Sequence, residues 1–234
     1  MRISIIIPTY NEAENIPGLI AHLKGASGNS IAEIIVSDGD SIDTTLSKAE
    51  KAGAIAIISP LKGRAGQMNY AAKFATGDVL YFVHADSLPP LTFQKDIGNA
   101  VKNGFDCGSY RFQFDSNKFL LKVNAFFTRF NYLFLRGGDQ TIFVTRKLFD
   151  EVGGFDDKLL IMEDYDFLRK IWTRGKFKLI PKATVVSARK YDKNTWLHVQ
   201  LANLKVVKMY KKGASQQDMI ETYKKMLNYR KNAF

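Results

Sequence analysis

The first 90 residues alternate between short apolar runs and stretches with helical spacing. These mainly apolar runs lie at 3–7, 33–37, 54–58 and 79–83, and between them apolar side chains recur every three or four residues. The last of these runs is nearly all apolar, as expected of a central strand covered on both faces. Strands that alternate with helices in this way predict an α/β fold with a doubly wound, mostly parallel, Rossmann-like sheet and right-handed crossovers.

The segment 118–136 has an unusual composition, KFLLKVNAFFTRFNYLFLR. Its cations, Lys118, Lys122, Arg129 and Arg136, are spaced by four, seven and seven residues. On a single helix this spacing gives one basic stripe beside a broad aromatic face. Aromatic side chains at helical spacing favour packing in the core. The alternative is a helix that lies in a membrane interface with its cations at the lipid headgroups.

Later patterns predict helices at 146–152, 162–174, 196–210 and 216–229, and closing strands at 177–180 and 185–186. From Arg189 to Lys231 there are many Lys and Arg, and only Asp192, Asp218 and Glu221 are acidic. We therefore expect one α/β domain at 1–188 and a basic helical C-terminal extension at 189–234 that packs on the same domain.

Composition and charge limit the compartment and the partners. A net charge of +11 over 234 residues favours anionic partners: nucleic acid, anionic lipid or phosphorylated small molecules. The single cysteine, Cys107, excludes an internal disulfide framework and suits a reducing compartment. The apolar run at the N-terminus is too short for a signal peptide, and no run reaches the length of a membrane span. We expect a cytoplasmic protein. Peripheral attachment to the inner face of the membrane is compatible with this expectation.

Candidate chemistry is concentrated where the predicted strands end. Pro8–Tyr10, Asp38 and Asp86 each follow a strand, and the carboxyl ends of parallel strands form one rim where ligands bind. Either aspartate alone is typical of a turn. The two together, near the basic residues Lys62 and Arg64, indicate a nucleotide and metal site. Neither a G-x-G-x-x-G fingerprint nor a P-loop occurs in the sequence, so a nucleotide must be held in another way.

Six motifs then appear in a characteristic order: IIIPTYNE, VSDGDSIDTT, GRAGQMNYAAKFATGD, VLYFVHADSLPP, GGFDDKLLIMEDYDF and SARKY. Over at least residues 3–175 the sequence resembles the family 2 inverting glycosyltransferases of the GT-A fold. The GRAGQMN, HAD, GGDQ and SARKY motifs resemble those of a bacterial subgroup of small, stand-alone enzymes. The Q-x-x-R-W motif of processive members is absent.

The resemblance implies roles for individual residues. The set expected to contact the nucleotide is Pro8, Thr9, Tyr10, Glu12, Asp38, Arg64, His84 and Arg189. Asp86 matches the last position of the family's D-x-D motif and would bind a divalent metal, Mn²⁺ or Mg²⁺. His84 stands where relatives carry the first aspartate of that motif, a ribose contact. Glu163 and Asp164 match the family's E-D pair, with Asp164 as the catalytic base.

These roles suit sugar transfer from a nucleotide-diphospho-sugar, expected to be UDP-linked, to an acceptor hydroxyl of unknown identity. Inversion needs one carboxylate base, whereas a hydrolase needs two carboxylates flanking the bond. A nucleotidyltransferase is an alternative. It would need a glycine-rich loop with a lysine after the first strand, and residues 9–15 contain neither glycine nor lysine. A binding module for nucleic acid or an anionic membrane is the other alternative. If the protein is a glycosyltransferase, we expect no nucleic-acid partner.

Overall fold

The computed structural model describes residues 1–136 and 140–227. The strands are β1 (Ile3–Thr9), β2 (Ile31–Asp38), β3 (Ile55–Ile58), β4 (Val79–Phe82), β5 (Ser87–Leu88), β6 (Cys107–Phe114), β7 (Ile142–Thr145) and β8 (Phe177–Val186). The helices are α1 (Ile16–Lys24), α2 (Thr45–Lys51), α3 (Arg64–Ala72), α4 (Phe93–Lys102), α5 (Phe119–Phe127), α6 (Arg146–Glu151), α7 (Glu163–Arg174), α8 (Trp196–Lys211) and α9 (Gln216–Met226).

The strands form a single sheet of order β3-β2-β1-β4-β7-β6-β8-β5. The pairs β3/β2, β2/β1 and β1/β4 are parallel, which confirms the prediction for the first 90 residues. Alternate side chains of the central strands enter two different cores. Ile5 and Tyr81 pack with α1 and α4 on one face, whereas Ile6 and Phe82 pack with α3 and α7 on the other. Burial on both faces explains why these strands are almost wholly apolar.

The second half of the sheet mixes strand directions, and the sheet as a whole is mostly parallel, as predicted. Strands β4/β7 and β7/β6 are antiparallel, while β6/β8 are parallel. The two predicted closing strands are one continuous strand, β8. Its register against β6 shifts between Tyr110 and Arg111, opposite Pro181 and Lys182. Because proline lacks an N–H, this irregularity lets Pro181 lie inside a strand without leaving a ladder carbonyl of β6 without its donor.

The prediction for 118–136 is wrong in two respects. The helix ends at Phe127, so the cations do not form a single stripe. Arg136 is buried instead, and its guanidinium donates to the carbonyls of Thr128 (2.9 Å) and Phe130. The aromatic side chains are mostly exposed and therefore do not pack in the core; within α5 only Leu121 is buried.

The described part of the predicted extension, 189–227, packs against α7 and the loop before it. Val206 of α8 and Met219 and Ile220 of α9 form a small apolar core with Ile161. No described helix, in 1–136 or 140–227, combines the length and the hydropathy that crossing a bilayer requires. The GGDQ glycines and Asp139, the end of the helix predicted at 216–229, and the rest of the extension to 234 lie outside the described residues. The boundary at 188 stays a prediction.

Candidate active site

The ends of β1 and β2 are joined through a buried carboxylate. Asp38 lies opposite Thr9 in the register of the two strands. Its Oδ1 accepts hydrogen bonds from the hydroxyls of Thr9 (3.0 Å) and Ser41 (2.6 Å), and its Oδ2 accepts from the Ser41 backbone N–H (2.7 Å). Asp38 therefore fixes the loop that follows β2. Tyr10, at the end of β1, is half-buried beside this loop.

Helix α3 is tied to the same rim. The amide of Gln67 donates to the carbonyl of Thr9 (2.7 Å), and the buried Pro8 precedes this contact. The chain enters α3 through Gly63, whose φ of 86° lies in the left-handed region that favours glycine. This turn brings Arg64, the first residue of α3, to the edge of the site.

Arg189 joins the ends of β1 and β4. Its guanidinium forms a two-pronged ion pair with Glu12, with Nη2–Oε1 at 2.8 Å and Nη1–Oε2 at 3.2 Å. Nη2 also lies 3.0 Å from Oδ2 of Asp86. Glu12 is almost completely buried and also accepts from the amide of Asn15 (2.6 Å). The geometry thus places Arg189, Glu12 and Asp86 in one charged cluster.

A second cluster lies at the N-terminus of α7. Glu163 and Asp164 are both buried, and Nη2 of Arg64 pairs with Glu163 and lies 3.4 Å from Oδ2 of Asp164. Acidic residues in the first turn are stabilised by the helix dipole. His84 is close enough to Glu163 for its charge to lower the pKa of that carboxyl. His84 and Asp86 are separated by one residue, so the two clusters adjoin at the end of β4.

The environment of Glu163 changes its protonation. Burial raises its pKa from 4.5 to about 7, and the neighbouring Asp164 acts in the same direction against the lowering effect of Arg64. Two adjacent buried carboxylates beside one arginine favour a shared proton. Glu163 is therefore poised to hold a proton near neutrality.

This shift predicts a pH-dependent stability. Between the ordinary pKa of 4.5 and the folded pKa of about 7, the native chain binds more protons than the unfolded chain. The contribution of Glu163 to the free energy of unfolding therefore falls as the pH rises through this window. Glu163→Gln should raise the melting temperature at about pH 8 relative to wild type, with little change at about pH 5.

Glu33→Gln serves as the matched control. Burial alone would raise the pKa of Glu33, but hydrogen bonds from Ser4 and Thr76 lower it overall. The wild-type stability contribution of Glu33 is therefore present above its ordinary pKa and is lost on acidification. Equal pH profiles for the two variants would contradict the assignment of a raised pKa to Glu163.

Two residues of the C-terminal helices hold the loop before α7 and the first turn of that helix. Oε1 of Gln216 accepts from the backbone N–H groups of Leu160 (2.9 Å) and Ile161 (3.0 Å). The hydroxyl of Tyr210 donates to Oδ1 of Asp166 (2.8 Å). Met162, between these contacts, has a left-handed φ of 70°, which is costly outside glycine and needs such support. No motif in the sequence marks Gln216 or Tyr210, because their partners lie far away in the chain.

Gln216→Leu should lower the free energy of unfolding by about 1–3 kcal/mol, since two backbone donors lose their acceptor. It should also reduce turnover, because the loop before Glu163 loses its anchor. Gln217→Leu is the matched control: Gln217 is exposed, and its amide bonds only the side chain of Glu221 one turn later among the hydrogen bonds described. Equal melting temperatures for the two variants would exclude the anchoring role.

Asp86 is suited to a divalent cation that arrives with a diphosphate. Its carboxylate is 29% exposed at the rim and offers the hard oxygen ligands that Mn²⁺ and Mg²⁺ prefer. Within 1–136 and 140–227, no three His, Cys, Asp or Glu side chains are grouped as a metal site. Mg²⁺ is commonly held by one or two carboxylates together with substrate phosphates. A single carboxylate at Asp86 fits that mode of binding.

Residues 4–155, more than half of the chain, match the sequence model described as Glycosyl transferase family 2. The chain belongs to this family. The matched range includes the rim residues from Pro8 to Asp86. It ends before the carboxylates of α7 and before Arg189, which this family 2 glycosyltransferase brings to the rim through its fold.

One curated relative and two solved structures are similar to this chain. The chain is 34% identical over 111 residues to the dolichol-phosphate mannosyltransferase of Pyrococcus furiosus, which covers 45% of this chain and 32% of that protein. The match thus spans about a third of that curated relative. TarS 1–349 of S. aureus in complex with UDP has a TM-score of 0.68 at 19% identity, covering 100% of this chain and 74% of that one. Mannosyltransferase PcManGT from Pyrobaculum calidifontis, in complex with GDP-Man and Mn²⁺, has a TM-score of 0.65 at 20% identity, with 88% and 61% covered. These likenesses show the fold, which is the GT-A fold predicted from the sequence.

Proposed function

We propose that this family 2 glycosyltransferase moves a sugar from a nucleotide-diphospho-sugar to an acceptor hydroxyl with inversion at the anomeric carbon. The observation that carries the proposal is the juxtaposition of two charged clusters at the carboxyl ends of the strands. One contains Arg189 and Asp86, and the other contains Asp164 with Arg64. The first suits a diphosphate, and the second suits a hydroxyl that must lose its proton.

The nucleotide is assigned to the rim formed by β1 and β2. The buried Asp38 fixes the loop after β2 through its hydrogen bonds with Ser41. Tyr10 is half-exposed and offers a surface for a base or ribose. UDP in TarS and GDP-mannose in PcManGT support a nucleotide donor for this fold. We propose UDP as the nucleotide of this chain. Pro8, Thr9, Glu12 and His84 complete the expected contact set.

The leaving diphosphate gains negative charge as the bond to the sugar breaks. Arg189 lies at the rim, about one third exposed, where it can donate to phosphate oxygens. Arg64 is more exposed and reaches the same region from α3. A divalent cation held by Asp86 and the diphosphate oxygens would supply further stabilisation of that charge. The Mn²⁺ bound in PcManGT supports a cation at this kind of site.

Asp164 is the proposed base. It accepts the proton of the acceptor hydroxyl as the acceptor oxygen bonds the anomeric carbon and the carbon–oxygen bond to the diphosphate breaks. The attack occurs on the face opposite the leaving group, so the anomeric configuration inverts. Because Glu163 favours a proton near neutrality, we assign the charge of the pair to Asp164. Arg64 then stabilises the carboxylate that accepts the proton.

A donor panel tests the proposal. The protein is incubated with UDP-, GDP-, ADP- and CDP-sugars, and release of nucleoside diphosphate is followed with water and with simple alcohols as acceptors. We expect release of nucleoside diphosphate from the UDP-sugars alone. Chelation of divalent cations should abolish this release. The anomeric configuration of the product, read by NMR, should be opposite to that of the donor. Retention of configuration would contradict the single-base mechanism.

A further inference from the structure

A large apolar surface surrounds α5 and the turn that follows it. We call it the aromatic surface; its exposed members are Phe119, Leu120, Phe126, Phe127, Phe130, Tyr132 and Phe134. Phe119 is 75% exposed and Phe134 is 71% exposed. The rings of Phe126, Phe127 and Phe130 contact one another, as do those of Tyr132 and Phe134. Apolar patches exposed on a soluble domain commonly mark a surface that contacts a partner or a membrane. The function proposed above does not use these side chains.

Helix α8 continues this apolar character. Leu197, Leu201 and Leu204 lie on one face and are exposed, while Val199 and Val206 are buried. Direct contacts join α8 and the segment before it to α5. The indole N–H of Trp196 donates to the side chain of Asn124 (3.2 Å), and Nζ of Lys118 donates to the carbonyl of Tyr191 (2.9 Å). The exposed leucines and the aromatic surface thus belong to neighbouring elements.

The charge of these two segments has one sign. Neither 118–136 nor 196–211 contains a single Asp or Glu. Lys122 and Arg129 flank the aromatic side chains, and Lys205 and Lys208 continue the exposed face of α8. Exposed aromatic and leucine side chains next to cations match the composition of helices that lie in a membrane interface. Cations near an anionic leaflet add attraction that salt screens.

We propose that the aromatic surface and the exposed face of α8 dock the protein onto an anionic lipid membrane. A second copy of the chain fits less well, because a twofold contact would bring the cations of both copies into one interface that has no acidic residue from these two segments. An anionic leaflet instead offers the opposite charge to the cations and an apolar interior to the aromatic rings. This attachment is independent of sugar transfer, since it uses residues outside the two charged clusters.

Flotation with lipid vesicles tests the docking surface. We expect the full chain to bind vesicles of equal parts phosphatidylglycerol and phosphatidylcholine, and not vesicles of phosphatidylcholine alone. Partitioning should fall at least about tenfold when salt is raised from about 50 mM to about 500 mM. The double variant Phe126→Ser with Phe134→Ser should also lower it at least about tenfold, with an unchanged melting temperature.

Matched controls separate this surface from a general effect. Phe74 is 49% exposed, close to the 47% of Phe126, and Phe74→Ser should bind as wild type does. Lys205→Glu with Lys208→Glu should weaken binding, whereas Lys48→Glu with Lys51→Glu on α2 should weaken it much less. Wild-type partitioning of the double aromatic variant would overturn the proposal, as would absence of binding at low salt. A dimer that the aromatic variant dissociates, without vesicle binding, would assign the surface to a second copy instead.

Discussion

Asp164→Asn should lower turnover by about 10²–10⁴-fold while the donor still binds. Asparagine has nearly the same shape but cannot accept the proton of the acceptor hydroxyl. The contact between the Arg64 guanidinium and the Glu163 carboxyl group is untouched, so the first turn of α7 should keep its structure. The measurement is release of nucleoside diphosphate under saturating donor, together with the affinity for the donor.

Asp166→Asn provides the matched control for this variant. Asp166 lies in the same helical turn and is also buried, but its carboxylate is bound by Tyr210 and lies 3.0 Å from Arg169 and 3.2 Å from Lys170. Its replacement should lower the melting temperature and change turnover far less. If Asp164→Asn kept turnover within a few-fold of wild type, Asp164 would not be the base.

Arg189→Met should produce the largest loss of stability among the variants considered. Removing one partner of a buried ion pair costs about 3–5 kcal/mol because the other charge is left uncompensated. Glu12 is 3% exposed, whereas Arg189 is 31% exposed, so we expect a value near the lower end, about 3 kcal/mol. Chemical denaturation measures this loss directly. Turnover should fall as well, since Arg189 also contacts Asp86.

A double-mutant cycle with Glu12→Gln isolates the pair. The coupling free energy between Arg189 and Glu12 should exceed about 1 kcal/mol. Arg189→Lys should rescue only part of the stability, because a lysine cannot reproduce the two-pronged contact with the carboxylate. Additive effects in the cycle would show that the ion pair does not join β1 to the chain after β8. Full rescue by lysine would show that the two-pronged contact is not needed.

The parallel half of the fold was predictable because its physical cause is local. A strand buried on both faces is apolar almost throughout, and 3–7 and 79–83 show this in the sequence. Parallel strands also place their carboxyl ends at one rim, so the neighbourhood of Thr9 and Asp38 followed from topology alone. The family resemblance added the roles of the site residues, which remain predictions.

The segment 118–136 was predicted wrongly because periodicity does not show what covers a helix face. Its aromatic spacing is compatible with a core and with an exposed interface alike. The helix ends at Phe127, and the buried guanidinium of Arg136 donates to the carbonyls of Thr128 and Phe130, which have left the helix. Such a contact depends on tertiary structure and leaves no periodic signal.

The partners of the charged residues could not be predicted from the sequence either. Arg189 and Glu12 are 177 residues apart, and nothing in either motif specifies the other as its partner. Arg64 was expected beside the base or the diphosphate, and its pairing with Glu163 and Asp164 was not foreseen. Long-range ion pairs are set by the packing of α3, α7 and the chain after β8, and packing is what sequence patterns describe least.

The most direct test of the central claim is the melting temperature of the protein with nucleoside diphosphates and Mn²⁺. UDP, GDP, ADP and CDP are added at about a hundred times a typical dissociation constant, which should stabilise a specific complex by roughly 2.7 kcal/mol. The account predicts a shift with UDP that needs Mn²⁺ and is lost in Asp86→Ala. No shift with any nucleotide, or an undiminished shift in Asp86→Ala, would contradict a nucleotide-sugar and metal site at this rim.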